Sequence, residues 1–276
     1  MSEPTHCAVC GARLRRAKPW LFACESCSFL ASTLQPGPGT EMIGLEALRK
    51  ANIAVCLDRL ERQTSLRGLT VLDVGCSNGL FLEAALARGA IVRGIEPEAV
   101  HVQASRAKGL PVDHGFFPQD LGDRGPYDIV AFNDVFEHLP SPDRAIGEVE
   151  RLLKPGGHAM INLPSRDGVL YRLATVMDAA GFPGPFERLW QKGFPSPHVS
   201  YFSPATLRGL VERHSGLRQI DAFPLQSFKR DRLWERVSFS TKGLAAYPVF
   251  TGLWGMSFVM PLLPADLHVG VFTKAG

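Results

Sequence analysis

The sequence predicts an α/β protein: a doubly wound parallel sheet preceded by a small metal-binding ribbon. Three stretches carry this expectation. Between Leu69 and Leu163, apolar runs of strand length alternate with segments of helical spacing, the pattern of repeated βα units. Inside that region Val71 to Leu82 (VLDVGCSNGLFL) reads as strand, tight glycine turn and helix. Near the start of the chain Cys7, Cys10, Cys24 and Cys27 form C-x2-C-x13-C-x2-C.

A chain of 276 residues can hold one large α/β domain and a small appendage. Charge gives little direction: 30 basic against 27 acidic residues leave +3, too weak for a nucleic-acid footprint, which calls for a clustered basic face. The first residues carry cysteines and arginines and no apolar segment of signal-peptide type, so the expected location is cytoplasmic.

In a reducing compartment two C-x2-C knuckles read as a tetrahedral zinc site rather than as disulfides or chance spacing, because thiolates two residues apart can face one ion. Gly11 after Cys10 suits the turn a knuckle needs, and His6 is a spare ligand that four cysteines leave unused. A closed shell makes the zinc structural. The expected division is a ribbon over residues 1–34, then a linker at Gln35–Thr40 (QPGPGT) opening a main domain over 35–276.

Through the main domain, Leu45, Leu48, Val55 and Leu60 predict an amphipathic helix within Gly44–Ser65. Leu69–Val74 is a strand, Gly79–Gly89 a helix and Ala90–Ile95 a strand. Ala99–Lys108 is a helix closed by Gly109, and Val112 opens a third strand. Ile129–Phe132 is a buried fourth strand. Ser141 as cap and Pro142 in the first turn start a helix with Ile146, Val149 and Leu153 inward, which Gly156 and Gly157 stop. His158–Leu163 is the fifth strand, giving βαβαβαβαβ. Two interruptions follow, about 164–197 with a helix at Gly168–Ala179, and about 224–265; between them Ser203 caps a helix through Val211 and Gln219–Phe223 makes a sixth strand. Gly243 to Ala265 carries no charged residue, but prolines leave only Val249–Met260 as uninterrupted helix, short of the roughly 20 residues a bilayer span needs. An apolar lid over the acceptor pocket, which could also touch a membrane surface, is expected there, and Asp266–Thr273 alternates as a last strand.

The turn Gly75-Cys76-Ser77-Asn78-Gly79 lets backbone approach a ligand closely, with Asp73 at the strand's end facing the crevice. Glu96, about 20 residues on, is placed to accept hydrogen bonds from a ribose. DVGCSNG, IEP (Ile95–Pro97), YDIVAFNDVFEHL (Tyr127–Leu139) and RLLKPGG (Arg151–Gly157), in this order and spacing, resemble class I S-adenosylmethionine-dependent methyltransferases over about Leu69–Pro164. Ser77 departs from the glycine many members carry. The resemblance implies a Rossmann-like, mostly parallel seven-stranded sheet with an antiparallel last strand. It assigns Asp73 and the Gly75–Gly79 backbone to the methionine end, Glu96 to the ribose and Phe116 with Asn133 to the adenine side, and it places Pro97 and Asp134 among the cofactor-binding residues. Phe116 or Phe117 could stack on the base, with core packing the plain alternative for each.

The segment Asn133–His138 resembles the one that leads into the acceptor site of ubiquinone-pathway and related small-molecule O-methyltransferases. His138 can take a proton from a hydroxyl as the methyl arrives. Asp134, Glu137 and His138 could instead hold Mg2+ or another divalent ion that acidifies the acceptor, or His138 could serve only to cap or position. His198, where the first interruption returns to the core, is the second candidate base. The acceptor expected is small and partly apolar: a secondary metabolite, a quinone precursor or a saccharide-lipid hydroxyl. Two other readings stand beside this one. The ribbon's Arg13, Arg15, Arg16 and Lys18 suit a ribosomal RNA base methyltransferase, although no Asn-Pro-Pro-aromatic segment follows the fourth strand; a noncatalytic cofactor- or partner-binding protein is the third.

Overall fold

A computed structural model gives the fold of residues 3–35, 46–122, 124–225, 227, 233–240, 243 and 246–276, and the expected linker after Gln35 lies outside these described residues. The ribbon comprises β1 (Leu14–Lys18), β2 (Leu21–Cys24) and β3 (Leu30–Ser32). Its knuckles are built alike: Gly11 and Ser28 take positive φ, and their amides donate to the carbonyls of Cys7 and Cys24. The ribbon sheet has a fourth strand, β9 (Ser200–Tyr201), contributed from the far end of the first interruption. The pattern of the sequence did not show β9, because two residues carry no periodicity of their own.

The larger sheet runs, in chain order, through β4 (Thr70–Val74), β5 (Ile91–Glu96), β6 (Val112–His114), β7 (Tyr127–Asn133), β8 (Leu153–Pro164), β10 (Arg218–Leu225) and β11 (Leu267–Thr273). Among the described residues its order is β10-β11-β8-β7-β4-β5-β6, with β11 antiparallel to both neighbours and β4 to β8 parallel. This is the expected Rossmann-like sheet with its last strand reversed. The order reverses direction between β4 and β7, so the crevice for a ligand opens at their carboxyl ends.

Alternation along the strands loads both faces. Val71, Ile129, Ala131 and Met160 pack with α1 (Glu46–Glu61), α2 (Leu80–Leu86) and α3 (Ala99–Ala107). Leu72, Val130, Phe132 and Ile161 pack with α4 (Pro142–Leu152) and α7 (Pro204–His214). The ribbon's Cys7, Val9, Cys24 and Phe29 join that second cluster, so the two parts share one core. Phe202 is buried between Phe29 and Phe136, its ring centroid 5.0 and 5.8 Å from theirs.

Several local expectations are corrected. Val55 is exposed on α1, whose buried face is Leu48, Ile53, Cys56, Leu57 and Leu60. Ser141 makes no side-chain cap, whereas Ser203 and Thr206 form a full capping box on α7. Leu153 opens β8 rather than closing a helix face: the helix ends at Leu152, and Gly156 and Gly157 fall within the strand at its irregular pairing with β7. No helix separates β6 from β7 among the described residues, so the alternation breaks there. In the interruptions, α5 (Val169–Ala179) is as expected, and α6 (Gly184–Leu189) was hidden by prolines that a first helical turn tolerates. The second contains α8 (Leu233–Ser240) and α9 (Ala246–Met256); among the described residues no helix is long and apolar enough to cross a membrane.

Phe202→Ala should cost about 3–5 kcal/mol, the loss of a large buried ring at the junction of ribbon and sheet, read as a lowered urea midpoint with an unchanged slope.

Candidate functional site

Asp73 ends β4 with 2 % of its surface exposed, and Asn133, at the end of β7, donates its amide to Asp73 Oδ1 over 3.0 Å. This bond spans the point where the strand order reverses. Burial pushes the Asp73 carboxyl up to about 8; the Asn133 bond opposes the shift and the nearby Glu96 adds to it. Glu96, 5 % exposed at the end of β5, accepts from the Ser77 amide at 2.8 Å and the Glu98 amide at 3.0 Å. Burial raises its pKa, and those two amides oppose the rise. Each carboxylate keeps acceptor capacity for a ligand.

The turn between them is tight for a reason. Gly75, Ser77 and Gly79 all have positive φ, and a Cβ on Gly75 would meet Val135 at 2.6 Å. The amides of Gly75, Cys76, Ser77 and Gly79 are bonded within the protein, so the turn contributes closeness rather than donors. Asn78 lies half-buried in the same turn. Cys76 packs inward: a Cβ on Gly94 would lie 2.5 Å from its Sγ. Pro97 offers its carbonyl to His114 Nε2 at 2.9 Å. Of the paired phenylalanines, Phe117 is core, edge-on to Phe132, and Phe116 is exposed at the end of β6.

Past β7 the chain makes a strained corner. Asp134 has φ 56 and its Oδ1 receives the Asn162 amide at 3.3 Å. A short 3-10 turn, Phe136–His138, then buries Glu137 and brings His138 against His198, ring centroids 4.8 Å apart. Glu137 Oε1 lies 4.0 Å from His138 Nε2 and 3.9 Å from His198 Nε2, while its Oε2 is buried with no hydrogen-bond partner among the described residues. Burial, then Asp134, holds the Glu137 carboxyl well above its ordinary range. Burial also lowers both histidines, His198 further through His138, so both imidazoles are neutral at pH 7. His138 Nδ1 donates to the Pro197 carbonyl at 2.9 Å, which leaves its Nε2 as the proton acceptor.

Glu137, His138 and His198 can offer ligand atoms within 4.8 Å of one another; Asp134, expected in this group, is turned to Asn162 instead. Cys7, Cys10, Cys24 and Cys27 do the same in the ribbon, with Cys7–Cys27 and Cys10–Cys24 sulfurs 3.5 Å apart. That is near the roughly 3.8 Å edge of a tetrahedron with Zn–S bonds of about 2.3 Å, so the four thiols fit zinc. Of the ribbon's basic residues, Arg15 pairs with Glu25, Arg16 with Glu3 and Lys18 with Asp178.

Sequence reasoning missed Asn162, although a polar residue closing the apolar run of β8 was its visible sign. It also missed Gln191, whose amide donates to His198 Nε2 at 2.9 Å and whose φ is 50. Nothing local in a Pro- and Gly-rich stretch marks that role.

Comparison with known proteins adds the family. A ubiquinone biosynthesis O-methyltransferase of Xylella fastidiosa is 33 % identical over 174 residues, 60 % of this chain and 68 % of that protein. The one of Chromobacterium violaceum is 32 % identical over 127 residues, 44 % of this chain and 55 % of its own length, so the chain spans little more than half of that relative. Among solved structures, the cyclopropane synthase MmaA2 of Mycobacterium tuberculosis superposes with TM-score 0.59 at 17 % identity, covering 88 % of this chain and 90 % of that one. The magnesium protoporphyrin IX methyltransferase of Synechocystis, solved with bound SAH, gives 0.55 at 14 % identity, covering 87 % and 90 %. Both share the fold. The family model described as "Methyltransferase domain" matches residues 46–220. The glycine turn and both strand-end carboxylates lie inside that match, and since it takes in more than half of the chain, the protein belongs to the methyltransferase domain family.

Proposed function

We propose that this chain transfers the methyl group of S-adenosylmethionine to a hydroxyl of a small, partly apolar acceptor. The observation that carries the reading is the pair of buried carboxylates, Asp73 and Glu96, flanking a positive-φ turn at the reversal of strand order. Such groups suit a ligand bearing cations and a ribose diol. S-adenosylmethionine would supply a methyl carbon on a sulfonium, to which the acceptor oxygen bonds in line as the thioether leaves as S-adenosylhomocysteine. The protein must align the acceptor and take its proton. His138 is suited to the second task because the Pro197 carbonyl holds its Nδ1 proton and leaves Nε2 free to accept.

The names of the relatives favour a hydroxyl acceptor, and both refer to ubiquinone biosynthesis, which favours a quinone precursor. His198 stands against Tyr201, which packs on Tyr171 and Trp190. All three rings are buried, so they fix the position of His198. Trp254, Val259 and Leu262 are exposed in the uncharged segment, which supports peripheral contact of residues 243–265 with a lipid surface. A divalent ion is the alternative to the base role, since His138 Nε2 serves one or the other: held by Glu137, His138 and His198, it would acidify a hydroxyl bound to it. To bind it, His198 would exchange the Gln191 hydrogen bond at Nε2 for the metal.

Two measurements test the reading. Calorimetry should show S-adenosylhomocysteine binding, and His138→Ala should keep that affinity while slowing transfer to a catechol-type quinone precursor by about a hundredfold or more. Unchanged turnover would remove His138 from the chemistry. The second concerns pH. Between the ordinary carboxylate range and about 8, folded ligand-free protein keeps a proton on Asp73 that the unfolded chain has released. Stability of the free protein therefore falls as pH rises through that window. S-adenosylmethionine, by favouring the carboxylate, should release a proton on binding. Calorimetry in buffers of different ionisation enthalpy should detect this release in the wild type and find it gone in Asp73→Asn.

A further inference from the structure

The segment Pro197–Tyr201 is held from two sides. On one, the Val199 amide donates to the Glu137 carbonyl at 2.9 Å, and the Pro197 carbonyl holds His138 Nδ1. On the other, Leu30 and Ala31 of β3 pair with Tyr201 and Ser200, and the Ser32 amide donates to the Val199 carbonyl at 2.8 Å. Ser32 Oγ donates in addition to the carbonyl of His198 itself at 3.1 Å. Among the described residues β9 pairs in a sheet with β3 only, and Phe202 next to it makes a single bridge to Ser165. A two-residue strand does not stand alone, so its extended backbone depends on the ribbon's edge.

That edge in turn hangs on the second cysteine knuckle. β3 begins three positions after Cys27, and the Cys24 amide donates to the Phe29 carbonyl at 2.9 Å. Further contacts join the ribbon to the wall behind His198. Trp20 stands edge-on to the fully buried Trp190 at 5.5 Å, Lys18 pairs with Asp178 of α5 at 2.7 Å, and the Trp190 carbonyl accepts the His198 amide at 3.1 Å. A solvated appendage would have none of these. Three short strands, β1 to β3, with shared rather than private core, lack the means to hold their register once the cysteine cluster is opened.

We propose that the ribbon is a positioning element for the two histidines: a metal ion in its four-cysteine cluster holds β3, β3 holds His198 and the Pro197 carbonyl, and these set the orientation of His138. The role assigned to the histidines rests on the function proposed above; the mechanical coupling does not. Zinc availability would then act on the acceptor end of the site more than on the cofactor end, because Asp73 and Glu96 take their hydrogen bonds from Asn133, Ser77 and Glu98, and among the described residues β4 and β5 touch the ribbon through the shared core and not by sheet pairing.

The test uses full-length zinc-loaded protein and the same protein after zinc removal with a chelator, with metal content measured. On removal, amide hydrogen exchange at Ser32 and Val199 should accelerate at least about tenfold, while the amides of β7 keep their protection. The 13Cε1 resonances of His138 and His198 should shift or broaden. Ser32→Ala, retaining zinc, should move the same two resonances, and Ser32→Thr should restore them. Histidine resonances and a Val199 exchange rate unchanged by zinc loss would overturn the proposal, as would Ser32→Ala that leaves both resonances in place. Loss of protection throughout β7 on zinc removal would also overturn it, since the ribbon would then support the whole fold. Absence of S-adenosylhomocysteine binding would instead defeat the functional reading, with the histidine resonances still reporting the coupling.

Discussion

A carboxylate taken out of water must find donors or a counter-charge, and this constraint organises the sheet's carboxyl edge. Asp73 has one side-chain donor, Asn133, and Glu96 has two backbone amides, one of them from the turn. Those bonds tie the ends of β4, β5 and β7 into one polar seam over an apolar sheet. They also fix the turn's path, since Ser77 can reach Glu96 only if Gly75 and Gly79 take conformations that side chains resist. The seam leaves both carboxyl groups above their usual pKa, a sign that the donors present compensate burial only in part.

The same constraint recurs past β7 with a different outcome. Glu137 is buried without a donor to its second oxygen, between two imidazoles that burial keeps neutral. Asp134 and Gln191, which precede Glu137 and His198 in the chain, both take positive φ. Backbone in this region is costly for residues with side chains, so both positions are held by the packing around the cluster.

What could be read from the sequence was what the backbone expresses locally. The glycine turn, Asp73 and Glu96 announce themselves through residues within one βα unit, and the cysteine knuckles through spacing alone. Boundaries decided by tertiary contact were less visible. Leu153 has helical spacing from Val149 yet starts β8, because pairing with Tyr127 outweighs the propensity of a helix end. Val55 falls on the stripe drawn from Leu48 and Leu60, but the face that packs is set by α2 and the sheet. β9, Asn162 and Gln191 escaped notice because their roles exist only once distant segments meet. The grouping of His198 with Glu137 and His138, in place of Asp134, has the same origin.

The pairing of β3 with β9 joins residues far apart in the chain: Ser32 and His198 are separated by 166 positions. The ribbon leaves the ribosome early, but its outer strand stays unpaired until Ser200 and Tyr201 have been made. At synthesis rates of about 5–20 residues per second that interval lasts roughly 8–33 s. During it, Leu30 to Ser32 present an open apolar edge of the kind that recruits other extended chains. The interval before Ser200 is made is therefore the one in which the ribbon's outer strand can be captured by another extended chain.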